Sequence, residues 1–132
     1  MSTPALRLRA TPWQLAVCKF PADSPLPAWA FHSEAVFWSL TRTPDELSLV
    51  CAEDDLPPSV DEHVERGWRA FELVGPVPFT TTGVISGLTV PLAAAEIGVF
   101  VISTYDTDYL LVKGAVFERA SAILGELFTL ED

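Results

Sequence analysis

Asp106 and Asp108 sit two positions apart in the run Thr104-Tyr105-Asp106-Thr107-Asp108. Carboxylates placed so in a short turn can supply an acceptor end for an ammonium group, because a charge-assisted hydrogen bond is stronger than a neutral one. Tyr105 could lie over an aliphatic or cationic tail. Upstream, Thr81-Thr82-Gly83-Val84 opens a helical pattern. Free N–H groups at a helix start bind anions, the hydroxyls of Thr81 and Thr82 add donors, and Gly83 permits close backbone approach. One end for a carboxylate and one for an ammonium is what an amino acid requires. Arg42, in a comparable turn of the first half, could steer an anion or pair with a nearby acid. Each residue also has a plainer use. Thr81 or Thr82 can cap the helix, the aspartates can satisfy turn backbone, and Tyr105 can pack at a strand end.

Nothing comparable points to catalysis. His32 and His63 lie outside any nucleophile or zinc motif, and there is no phosphate-binding loop or dinucleotide fingerprint. His63 beside Glu62 and Glu65 reads as part of a solvated connector. The expectation is a chain that is not an enzyme and uses no metal and no cofactor.

The elements that must position these residues repeat. Ser39-Leu40-Thr41-Arg42-Thr43-Pro44-Asp45-Glu46-Leu47-Ser48-Leu49-Val50 lies over Val101-Ile102-Ser103-Thr104-Tyr105-Asp106-Thr107-Asp108-Tyr109-Leu110-Leu111-Val112 without a gap. In each, an apolar strand passes through a hydroxyl-rich, acidic turn into a second strand ending Leu-Val, which predicts two related modules. Leu6, Leu8 and Ala10 alternate with Arg7 and Arg9 as a half-buried strand. Residues 13–20 form a second strand. Pro25 and Pro27 leave residues 22–33 as a loop with a short helical turn around Pro27-Ala28-Trp29. Strands follow at 36–41 and 47–52, joined by the Pro44-Asp45 turn, then a polar connector over 56–65.

The second half gives a strand at 68–74, a Gly75-Pro76-Val77-Pro78 breaker, and a helix on Val84, Leu88, Leu92 and Ala95 that Gly98 stops. Pro91 would kink that helix, its ring crowding Gly87. Strands at 99–104 and 109–112 precede a second helix over 114–127. Its inner face carries Val116, Phe117, Ala120, Ile123, Leu124 and Leu127. The tail adds a short strand or frays. This is the βαββαβ order of a ferredoxin-like α+β fold, antiparallel sheets with helices packed on one face. The expected modules are 1–60, with its first helix eroded, and 61–132, and the strand at 6–10 would complete a sheet shared by both halves.

The stretch from Gly83 to Val112, and above all Ile102-Ser103-Thr104-Tyr105 with Thr107-Asp108-Tyr109-Leu110-Leu111-Val112, resembles an ACT domain. It is most similar to the modules of small bacterial tandem-ACT proteins and of CASTOR-type arginine sensors. The first half joins through Ser39 to Ser48. The resemblance implies a regulatory protein that binds a small ligand, usually an amino acid, between paired modules. It places Thr104, Tyr105 and Asp108 where arginine sensors touch their ligand. It also places the segment from Thr80 to Val84 where many ACT domains hold a carboxylate. The proline-rich stretch replaces the helix expected in the first module.

A formal charge of −10 over 132 residues argues against nucleic acid, whose phosphates need a basic surface. No apolar run approaches the roughly 20 residues of a membrane span, and the first residues lack the apolar core of a signal peptide. A cytoplasmic chain with no membrane partner is expected. Cys18 and Cys51 sit in apolar strands and read as buried thiols. The four tryptophans read as core. Exposed sheet edges favour a homo-oligomer. The alternative to a ligand sensor is a protein–protein interaction module that has kept the fold and lost the ligand.

Overall fold

The computed structural model describes residues 6–75 and 82–131. Eight strands occur among them: β1 Arg7–Ala10, β2 Leu15–Phe20, β3 Trp38–Arg42, β4 Leu47–Ala52, β5 Val64–Leu73, β6 Phe100–Ser103, β7 Asp108–Lys113 and β8 Thr129–Glu131. Two α-helices, α1 Val84–Ala94 and α2 Phe117–Leu127, lie on either side of the β6–β7 pair in sequence. No helix is long and apolar enough to cross a membrane among the described residues. The chain packs as two units. One is Trp13–Trp68; the other joins the residues up to Pro12 to those from Arg69 onward.

In the first unit β2 lies between β4 and the first half of β5, and β3 forms an edge beyond β4. All pairings are antiparallel, the strand arrangement of a βαββαβ module. Both helices are reduced to single 3-10 turns, Ala28–Ala30 and Glu53–Asp55. Prolines explain this: Pro25 and Pro27 precede the first turn and Pro57-Pro58 follow the second, where a proline cannot donate or extend a helix. Ala16, Cys18, Ala30, Leu49 and Cys51 form the core, with Trp29, Phe31 and Leu40 packed against it. Trp38 departs from the expectation of buried tryptophans. It stands on edge strand β3 and is 47% exposed, its indole resting on Phe31 at a centroid distance of 4.4 Å.

In the second unit the neighbours run β6-β7-β5-β1-β8. Leu8, Phe71, Leu73, Leu110 and Val112 alternate along their strands onto one face. On that face α1 contributes Val84, Leu88 and Leu92, and α2 contributes Phe117, Ala120 and Leu124. Each fully buried leucine stabilises by about 2 kcal/mol relative to exposure. Strand β1 sits between β5, which it meets antiparallel, and β8, which it meets parallel. Arg7 and Arg9 point outward and pair with Glu131 and Glu72, as the alternation required. The fold is α+β and ferredoxin-like, as expected.

Three local expectations are corrected. Strand β5 begins at Val64 rather than 68, so the polar connector is shorter. Its first residues, Val64-Glu65-Arg66-Gly67, are polar apart from Val64, which hid the strand, and Gly67 takes φ 79° where the β2–β5 register shifts. Helix α1 is stopped by Glu96, not Gly98. Glu96 adopts φ 62°, its N–H bonds Ala93 O, and the N–H of Ile97 bonds Leu92 O, both at 2.9 Å. This is a Schellman closure, completed by Ile97 packing into the core. Leu127 is 58% exposed rather than inward, because α2 ends there and the chain turns through Phe128 into β8. As expected, Pro91 does not break α1, which runs through it from Val84 to Ala94.

Candidate functional site

The β6–β7 hairpin closes on the pair Ser103↔Asp108, leaving the four residues 104–107 as its turn. Thr104 clasps that turn. Its N–H donates to Thr107 O at 2.8 Å, and its hydroxyl accepts the Thr107 N–H at 3.2 Å. The Thr107 hydroxyl in turn donates to Leu73 O, fixing the turn to the last residue of β5. Ser103 Oγ donates to Asp108 Oδ1 across the closing pair. The carboxylate of Asp108 is thereby held in place with its second oxygen outside that bond. Asp106 stands at the exposed tip and makes no hydrogen bond or ion pair among the described residues. Tyr105 is 80% exposed on the same tip.

Helix α1 opens on Gly83 in the left-handed region, φ 78°, with no side-chain cap. Among the described residues, no threonine hydroxyl caps its first N–H groups. Thr82 is exposed and does not cap; Val84 turns its side chain into the core and offers only backbone. Thr81 and the Pro76-Val77-Pro78 breaker lie outside the described residues. Thr104, Tyr105, Asp106 and Asp108 are thus gathered on one turn, and Gly83 with Val84 at one helix start.

Arg42 belongs to the first unit. Its guanidinium donates to the carbonyls of Ala22 and Ser24, at 2.7 Å for Ser24, so it fastens the loop after β2. It pairs with no acid among the described residues. The first unit repeats the turn, offset by one position from the ungapped overlay. Thr43 clasps Glu46 as Thr104 clasps Thr107, with N–H to O at 2.9 Å and the Glu46 N–H on the Thr43 hydroxyl at 3.1 Å. The closing pair is Arg42↔Leu47. Leu47 therefore occupies the place of Asp108, and that turn has no carboxylate there.

Sequence reasoning missed Ser103 and Thr107, which orient the aspartate and anchor the turn. Their hydroxyls were visible in the run; their partners were not. Tyr109, next to Asp108, is also informative. Burial, with the Glu72 carboxylate beside it, holds its hydroxyl above the ordinary tyrosine range.

A family model described as an ACT domain matches residues 63–126, and a second, described as an N-terminal domain, matches residues 14–59. The human putative protein CASTOR3P is 32% identical, the match covering 94% of this chain and 90% of that protein. The chain belongs to the ACT-domain family. The cytosolic arginine sensor for mTORC1 subunit 1 of Bos taurus is 32% identical over 62% of this ACT-domain chain, a match spanning 28% of the sensor. Among solved structures, protein Atu0741 from Agrobacterium tumefaciens superimposes with a TM-score of 0.85 at 36% identity, covering 97% of this chain and 93% of that one.

Proposed function

We propose that this ACT-domain protein binds a small molecule, an amino acid, on its second unit and serves as a regulatory sensor. The observation that carries the reading is the hydroxyl-clasped turn, which presents Asp106 unengaged and Asp108 held by Ser103. Those carboxylates receive the ammonium or guanidinium of the ligand, and Tyr105 covers its tail. The start of α1, with Thr81, Thr82, Gly83 and Val84, receives the carboxylate. Membership of the ACT family and likeness to a cytosolic arginine sensor support a regulatory, non-catalytic role in the cytoplasm. The two units act as a tandem, and copies associate through exposed sheet edges. Arg42 serves as a loop clasp.

One observation favours the interaction-module reading. Leu26, Val36 and Trp38 are each about half exposed in the first unit, and exposed apolar side chains suit a protein partner. Thermal unfolding of the purified chain with each of the twenty amino acids separates the readings. A ligand at 100 times its dissociation constant stabilises by about 2.7 kcal/mol, roughly 10 °C here. A shift with one amino acid, abolished by Asp108→Ala, is the expected result. No shift with any of the twenty favours the interaction module.

A further inference from the structure

The first unit carries a cleft of its own, about 320 Å³, between the end of β2 and the segment 59–63. That volume falls at the lower end of the range for small-molecule sites, about 300 Å³ upward. We propose that this cleft binds a small zwitterion with an apolar body, independently of the site on the second unit. Lys19 lines it together with Asp61 and Glu62, and Phe20 and Val60 supply apolar surface. Both signs of charge are therefore present around one apolar floor.

None of Lys19, Asp61, Glu62 or His63 spends its side chain on a hydrogen bond or ion pair among the described residues. Opposite charges lining one cleft without pairing leave donor and acceptor capacity for a ligand. A purely anionic ligand would meet Asp61 and Glu62, and a purely cationic one would meet Lys19. A molecule with both ends matches both: its carboxylate to Lys19, its ammonium to Asp61 or Glu62. The cleft is also pre-formed. His63 holds φ 53°, a conformation uncommon outside glycine, and its carbonyl accepts the Lys19 N–H at 3.0 Å. That bond fixes one wall to the other, which lowers the ordering cost of binding.

The test is a titration of the ¹⁵N-labelled full chain with L-leucine, beside 4-methylpentanoate and isoamylamine, which keep its apolar body and one charged end each. Leucine is expected to move the amide signals of Lys19, Val60, Glu62 and His63, and each single-headed compound to bind at least about tenfold more weakly. Lys19→Met and Glu62→Gln, both exposed, are expected to weaken leucine about tenfold, and Asp108→Ala to leave these shifts unchanged. The proposal is overturned if leucine leaves those signals still, if it moves only those of residues 104–108, or if a single-headed compound binds equally well.

Discussion

Asp108 shows how much of a site one residue can state and how much it cannot. Its acceptor role was legible from charge and turn context. Its orientation was not, because Ser103 meets it only once the strands pair, and Thr107 reaches Leu73 O across 34 positions. Asp108→Asn should keep the Ser103 bond and lose the charge. Its unfolding midpoint should stay close to that of the parent, while any amino-acid-induced shift disappears in the same thermal assay. Glu96 carries a different cost. A non-glycine residue at φ 62° is strained by about 1 kcal/mol, so Glu96→Gly should raise stability by about that much in urea unfolding. Tyr109 gives a pH signature. Its folded value lies above the ordinary 10, so the folded chain keeps the phenolic proton where the unfolded chain has lost it. That contribution is complete below about pH 10 and disappears as pH rises through the folded value. The stability difference between the parent and Tyr109→Phe should therefore stay constant up to about pH 10 and change only above it.

At the scale of elements, apolar periodicity was a sound guide where burial was one-sided. The inward residues of α1 and the alternation of β1 were both readable. Helix ends were not, since the Glu96 closure depends on backbone that no residue type announces. The internal repeat was visible yet displaced by one position, because matching the Leu-Val endings outweighed matching the turns. A one-residue slip exchanges the two faces of a strand, so Asp108 was set against Glu46 when its structural counterpart is Leu47. Helix α1 offers a test of its own packing. A Cβ on Gly87 would meet only Phe128 Cζ, at 3.7 Å, an ordinary contact. Gly87→Ala should therefore raise stability by about 0.5–1 kcal/mol, measured by urea unfolding.

For the molecule as a whole, net charge is the property that composition states most directly. A formal charge of −10 implies self-repulsion in the folded state. Raising ionic strength from about 0.01 M to about 0.15 M shortens the screening length from roughly 30 Å to 8 Å, so the unfolding midpoint should rise with added sodium chloride. The place of β1 could not be read from its alternation, because that pattern fixes a strand's faces and not its neighbours. Arg7 and Glu131 are 124 positions apart, yet they join adjacent parallel strands. On the ribosome this sets an order of events. The segment 13–68 has all of its own pairings early and can fold while synthesis continues. Strand β1, made before its partners, must wait for β5 and then for β8, so the second unit closes only after residue 131 has emerged. Until then its earliest residues have an unfilled edge, and a nascent chain stalled before residue 129 should remain open to proteases in its second unit while its first is already resistant.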